Sequence, residues 1–526
     1  MRLRGFRLWL LAFSAFFLMI GGWALSAPYD GSADEHDHIY RAAGVWSGDI
    51  APRPANAVRG SGAFVHVPRG LIVPDEMCWQ FKPGVSAACA PEPGSDRTSV
   101  RVGSGAGRYH PGYYALVGLP LKLWPGWSGV ILARLITGAG AAALLAGALV
   151  TIATYFRRRL MLAGLLVAVT PMAVHFFGAV NPNGLEIAAG VGLFTALVPL
   201  VLGSAGRDDA DGVPRWLLVL AGTSGILLAS LRPTGLIYLL FAAIAFFVPL
   251  RRDTLARLWG SVAARWWIGA VAFAAVFAAA YAVAFKGTDL GSAFRGGASI
   301  ERGQALLIIV ELWGELTEQI VGVFSWLDIN MPGSIYVIWH LAAGAVLVFG
   351  FAFGHWIDRW RLVMLLVGAV GVPTFMQFWF FNDTGFVTQG RYMLPALVGV
   401  VIFAAWILEE RGLPERAGRS LTRLLLVTVL PIHLFSLLWA MIRWRSGMPD
   451  YGRIGIVSLW PLGRGWHPVV GPALPVLMLI IGLAGLAWLV WRLSVPAVEA
   501  AAEPTVDLPE QDDGAGRDGA ELATST

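Results

Sequence analysis

The stretch GSADEHDHIYRAAGVWSGD, residues 31–49, opens a few residues after the first long apolar run and crowds Asp34, Glu35, His36, Asp37, His38 and Arg41 together. In a soluble protein such a cluster would be ordinary. Here 56% of the 526 residues are hydrophobic and only 14% are charged, and the mean hydropathy is +0.64. That composition excludes a soluble globule of this length. The chain reads as an all-α polytopic integral membrane protein, with residues 31–49 as a polar island at one edge of the bilayer.

Outward from this island, apolar runs lie near residues 8–27, 128–155, 160–178, 184–203, 216–231, 234–250, 267–285, 333–354, 362–381, 391–408, 422–442 and 471–492. Each approaches the roughly 20 residues that a helix needs to cross the hydrocarbon core, which predicts about 12 transmembrane helices. Cytoplasmic loops retain Lys and Arg. The segments MRLRGFR, Arg157 to Arg159, RRDTLARLW from Arg251, HWIDRWR from His355 and EERGLPERAGRSLTR from Glu409 all fall on one side if the first helix runs outward. This predicts a multi-pass protein with both termini cytoplasmic. The sequence pI of 9.3 is then a topology signal with some contact to anionic lipids, and calls for no nucleic acid.

Four regions follow: an N-terminal signal-anchor helix (1–27), a long first extracytoplasmic loop (28–110), a multi-span membrane domain (111–494) and a disordered cytoplasmic tail (495–526). The first helix is read as an uncleaved anchor because its apolar run exceeds a signal-peptide core. The tail is rich in Glu, Asp, Ala and Gly, with prolines and no apolar periodicity. The chain's two cysteines, Cys78 and Cys89, both lie in the first outer loop within EMCWQFKPGVSAACAPEPG. An oxidising compartment makes them a disulfide closing a short Pro/Gly loop, ahead of metal binding or a catalytic thiol.

Within the opening stretch, Ser32 followed by Glu35 three residues later reads as a capping box that starts a helix at Ala33. Asp34, His38 and Arg41 then share one stripe, while Ile39, Ala42, Ala43 and Trp46 form an apolar one. The result is an amphipathic helix along the outer membrane surface with its polar stripe facing the protein. A zinc site is disfavoured, since Glu35 and His36 are not spaced as a ligand pair on one helical face. The spacing alone leaves two readings open: interfacial charges solvated by headgroups, or a functional site.

A resemblance weighs on that choice. DEHDHIYRA at 34–42, the loop from Cys78 to Cys89, HPGYYALVGLP at 110–120, NPNGLE at 181–186, FSWLDINMP at 324–332 and TQGRYMLP at 388–395 occur in this order. Together they resemble the bacterial membrane-protein family catalogued as domain of unknown function 2142, over roughly residues 8–445. That family is similar to the C-type (GT-C) glycosyltransferases, which take a sugar from a polyprenyl-phosphate carrier on the outer face of the bacterial cytoplasmic membrane. The resemblance implies an inverting GT-C-type enzyme whose partners are membrane lipids, a polyprenyl-phosphate-linked sugar and a cell-envelope glycan or lipid acceptor. It places Asp34 and Glu35 where such enzymes carry a catalytic acidic residue. The chain departs from many GT-C enzymes in lacking a large soluble C-terminal domain.

The chemistry can also be stated from the residues. Transfer from a sugar phosphate needs a carboxylate to accept the acceptor's proton and cations to hold the departing phosphate. Arg391, in TQGRYMLP, and Arg232, in ASLRPTG, sit at predicted outer ends of helices, where a cation facing lipid is costly and a phosphate-facing position is reasonable. Arg232 could equally cap its own helix ahead of Pro233. His38 and Arg41 are further phosphate-binding candidates, and Gln389 and Tyr392 flank Arg391. Glu186 is a buried acid in the pocket unless Arg232 pairs with it for structure. Glu311 and Glu315 form either the wet face of a surface helix or the wall of an acceptor groove. No cofactor motif is present, and whether a divalent cation such as Mg or Mn is needed stays open. A transporter or flippase of a lipid-linked saccharide is the alternative, although no internal repeat between halves supports it.

On this topology, an impermeant thiol reagent applied to intact cells should label Cys78 and Cys89 only after reduction. Labelling that appears only once the membrane is breached would invert the inside–outside assignment.

Overall fold

The structure, a computed structural model, describes residues 3–495 apart from 56, 59, 76, 157–158, 204–212, 250, 288–299, 385–387, 412, 449–459 and 461. The expected tail from residue 496, and Arg157 and Arg158 of the basic loop, lie outside the described residues. The helices are α1 Leu3–Ser26, α2 Glu35–Trp46, α3 Pro111–Leu123, α4 Trp127–Tyr155, α5 Met161–Ala168, α6 Pro171–Phe177, α7 Pro182–Leu197, α8 Arg215–Leu231, α9 Pro233–Phe247, α10 Arg252–Gly260, α11 Val262–Ala284, α12 Arg302–Gly322, α13 Gly333–Phe353, α14 Trp356–Leu366, α15 Val372–Thr384, α16 Leu394–Arg411, α17 Glu415–Ser446 and α18 Ala473–Leu493.

Every apolar run folds as helix, but not every run is a full span. Among the described residues, eight helices are long and apolar enough to cross a membrane, or nine if the bent pair α9 and α10 counts as one. The run at 160–178 breaks at Val169 and Thr170, because Pro171 cannot continue a helix and biases the residue before it to extended backbone. The 8- and 7-residue pieces α5 and α6 are each too short to span. Likewise Pro233 separates α8 from α9, leaving 17 and 15 residues. By contrast α14 and α15 continue through a π turn at Val367–Gly371 as one span.

The centre of the bundle is α4, α7 and α16. Helix α1 packs along α18 and α4, α7 along α8 and α16, and α11 along α8. Only 6% of the apolar window of α11 is buried, so this helix turns almost its whole surface outward. The segment between α1 and α3 also contains two strands that the all-α expectation lacked. Strand β1, Ala63–Pro68, pairs antiparallel with β2, Ser99–Ser104, with Val65 opposite Val102. Inward residues Ala63, Val65 and Val67 are fully buried, and α2 lies so close that a Cβ at Gly44 would stand 2.8 Å from that of Val65. Cys78 and Cys89 are joined as a disulfide.

The expected capping box is not formed. Helix α2 starts at Glu35, not Ala33, and Asp34 at its N-cap has φ 64° and makes no side-chain cap bond. The buried Ser32 hydroxyl has no hydrogen-bond partner. Glu35 instead points inward and forms a two-pronged pair with Arg134 of α4, at 2.8 Å and 2.6 Å, with both side chains 1% exposed. Arg134 also donates to the carbonyls of Ala24, Ala27 and Pro28 at 2.7–3.2 Å. These include carbonyls that the end of α1 leaves without intrahelical partners. The backbone N–H of Val180 donates to Glu35 at 2.9 Å. A buried cation satisfied this completely outweighs a surface cap.

Removing one partner of a buried ion pair is far costlier than removing both. Glu35→Ala should therefore cost about 3–5 kcal/mol, read as loss of monodisperse protein on heating in detergent. Adding Arg134→Met should recover a large part of it. Equal loss in the single and double variants would show that the pair is not what anchors α2.

Candidate functional site

Because Glu35 is pulled inward, Asp34 is left at the rim. Its carboxylate meets Arg391 at 2.5 Å, and Arg391 also donates to the Ala33 carbonyl at 3.2 Å. Arg391 is 1% exposed whereas the Asp34 side chain is 37% exposed, so this carboxylate can be reached from outside while its partner cannot. Enclosure disfavours the charge on Asp34, but the charge and hydrogen bond of Arg391 outweigh that and hold the carboxyl below its usual range.

Arg391 sits in a short turn, Gly390–Tyr392, whose Gly390 N–H donates to Gln319 of α12 at 2.8 Å. Its guanidinium lies 4.6 Å from the ring centre of Phe176 and 5.0 Å from that of Tyr392. Arg232, between α8 and α9, stands 4.5 Å from the same Tyr392 ring and lines a small cavity with Tyr109, His110 and Tyr281. The structure thus brings together the two arginines, although they are 159 positions apart in the chain. The Tyr392 hydroxyl receives a hydrogen bond from Arg391 at 3.3 Å. Beside it, the buried Gln389 Oε1 has no partner.

The NPNGLE segment braces this cluster. Asn181 caps α7 by accepting from the Asn183 N–H at 3.0 Å and donates to the Ala33 carbonyl at 3.2 Å. Glu186, buried one turn on, accepts from Asn183 and Thr234 and lies 3.8 Å from Arg232. Both readings of Glu186 therefore meet in one place: it lies in the cluster and is paired with Arg232.

Of the other candidates, His38 and Arg41 adjoin this cluster, whereas Glu311 and Glu315 lie apart from it. His38 is buried with Nδ1 2.8 Å from the Tyr114 hydroxyl, and burial, helped by Arg232 and Arg391 against the pull of Asp34, pushes it down to about 3. It is neutral and so does not contribute a cation. Arg41 is buried, and its guanidinium is taken up by the carbonyls of Asp49, Ile50 and Tyr109 at 2.5–3.2 Å. It straps the end of α2 to the start of α3. Glu311 and Glu315 lie on the exposed face of α12, where Glu315 accepts from Gln319 at 3.0 Å.

Three contributors were missed in the sequence: Arg134, Asn181 and Asp30. Arg134 had a visible signal, since an arginine within an apolar run is presumptively functional or paired. Asp30 is fully buried and accepts from the His36 N–H at 2.9 Å and from Gln80 at 2.7 Å. Nothing local in the sequence marks it.

Among solved structures, the chain is similar to ArnT from Cupriavidus metallidurans in the apo state, with 12% identity, a TM-score of 0.42, and coverage of 93% of this chain and 77% of that one. It is similar also to ArnT from the same organism bound to undecaprenyl phosphate, with 12% identity, a TM-score of 0.40, and coverage of 93% and 78%. No curated protein matches the sequence. The family model described as "Predicted membrane protein (DUF2142)" matches residues 16–400, a span that takes in Asp34, Glu186, Arg232 and Arg391. The chain belongs to the DUF2142 family of membrane proteins.

Proposed function

We propose that this protein is an inverting membrane glycosyltransferase that moves a sugar from a polyprenyl-phosphate donor to a cell-envelope glycan or lipid acceptor on the outer face of the bacterial cytoplasmic membrane. The observation that carries the reading is the reachable Asp34 carboxylate paired to a buried Arg391, with a second arginine, Arg232, on the same tyrosine ring. The family resemblance of the motifs supports it.

In this mechanism the acceptor hydroxyl attacks the anomeric carbon as its proton passes to Asp34. The bond from that carbon to the phosphate oxygen breaks, and its electrons leave with the polyprenyl phosphate. One displacement inverts the anomeric configuration. The charges fit this step. Two guanidiniums, Arg391 and Arg232, face two carboxylates, Asp34 and Glu186. When Asp34 takes the proton, Arg391 loses its counter-charge as the phosphate gains one negative charge. The protein thereby supplies a cation where transition-state charge grows. Glu35, enclosed by Arg134, is a structural residue in this scheme and Asp34 the base.

Asp34→Asn keeps shape and hydrogen bonding but removes the base, so transfer should fall by roughly 10²-fold or more in protein that still folds and inserts. Asp34 has a depressed pKa, so the base is ionised at neutral pH and transfer should fail only as the pH drops below its ordinary value of about 3.9. Transfer that survives in Asp34→Asn, or that fails already near pH 6 in the wild type, would rule Asp34 out.

A further inference from the structure

At the basic end of the bundle, where α9 and α16 finish and α14 begins, one buried carboxylate stands among three arginines. Asp358 caps α14 by accepting the His355 N–H at 3.1 Å, and its side chain is 1% exposed. Arg411, at the end of α16, donates to it through Nε at 3.1 Å, while Arg361 Nη1 lies 3.7 Å away. Arg251, just past α9, and Arg411 are both within electrostatic reach of Arg361. Among the described residues, no other carboxylate pairs with any of the three. Three positive charges therefore meet a single negative one.

Their donors are incompletely used. Arg361 engages the Ala245 carbonyl through Nε at 3.1 Å. A separation of 3.7 Å is no hydrogen bond, so its two Nη groups donate to none of the described residues, although the side chain is only 6% exposed. The Arg251 guanidinium is exposed and has no hydrogen bond or ion pair among the described residues. Arginines that only mark one side of a membrane can stay spread through the loops. Their convergence on one carboxylate adds repulsion that a further anion would relieve. Planar guanidiniums with free donors match the oxygens of a phosphate. The surroundings say which phosphate. Arg361 lies five positions into the span Trp356–Asn382, about 8 Å along the helix axis. At the same level Trp356 is 80% exposed and Ile357 42%, and Val248, whose carbonyl accepts from Trp360 Nε1 at 3.1 Å, is 47% exposed. Such an aromatic and aliphatic rim at a helix end belongs at the headgroup level of a bilayer.

We propose that Arg251, Arg361 and Arg411 form a headgroup site for an anionic phospholipid, whose phosphodiester lies among the guanidiniums and whose acyl chains run along the exposed Val363 and Leu366 of α14. The site stands independently of Asp34 as the base. A zwitterionic headgroup would bring its ammonium against the surplus positive charge, whereas an anionic one brings only the phosphate.

The test is native mass spectrometry of the full chain, stripped of lipid in detergent and titrated with phosphatidylglycerol, phosphatidylcholine or inorganic phosphate. Phosphatidylglycerol should bind at lower concentration than phosphatidylcholine. Arg251→Gln removes no hydrogen bond or ion pair to a described residue, so it should melt as the wild type does, yet bind phosphatidylglycerol roughly fivefold more weakly. Arg492→Gln, an equal change of charge at the exposed end of α18, should bind this lipid as the wild type does. Equal binding of the two lipids, or no difference between the two variants, would overturn the site. Inorganic phosphate that competes at the same concentration as phosphatidylglycerol would show a site for free phosphate and reject the lipid.

Discussion

The ion pair between Glu35 and Arg134 is the constraint on which the rest of the site depends. An arginine within a helix bundle is tolerable only if its donors are satisfied. Arg134 places all five: two on Glu35 and three on the carbonyls of Ala24, Ala27 and Pro28. It therefore fixes, at one point, the end of α1, the start of α2 and the third turn of α4. The Val180 N–H, on the same carboxylate, adds the approach to α7. With Glu35 held inward, the preceding residue is forced into a left-handed conformation that leaves its carboxylate free of the helix end. Asp34 can then serve another partner, and that partner is Arg391.

Charge is matched across the cluster in two pairs of unequal access. Arg232 and Glu186 are braced by Asn183, Thr234 and the Tyr392 ring. Arg391 is enclosed by Phe176 and Tyr392, but Asp34 opens outward. A proton arriving from outside thus finds one carboxylate first. Its neutralisation would leave the buried charge of Arg391 without its carboxylate partner. Such pre-set electrostatics is how a site can favour a charge that exists only in the transition state.

Much of this was legible in the sequence, and the remainder failed for specific reasons. Hydropathy marked a helix at each of its twelve runs, but it passed over α3, and it cannot separate a span from two buried half-helices. Only Pro171 signalled that break. Arginine position singled out Arg391 and Arg232, because a cation at the outer end of an apolar run lacks a topological excuse. The capping-box reading failed because it is local. Ser32 and Glu35 have the right spacing, yet Glu35 has a stronger partner 99 positions away. His38 and Arg41 share a stripe with Asp34, but helical spacing does not show that one is neutralised by burial and the other consumed by carbonyls. The strand pair β1 and β2 was hidden by the long connection between two six-residue segments.

The most direct measurement is where a lipid phosphate comes to rest. A polyprenyl phosphate carrying a photoreactive group beside its phosphate, irradiated with the full chain in nanodiscs and mapped by mass spectrometry, should label the segments around Arg232 and Gln389 to Tyr392. Unmodified polyprenyl phosphate should compete it away. Labelling confined to outward-facing helices such as α11, or labelling that does not compete, would contradict the assignment of this cluster as the donor site.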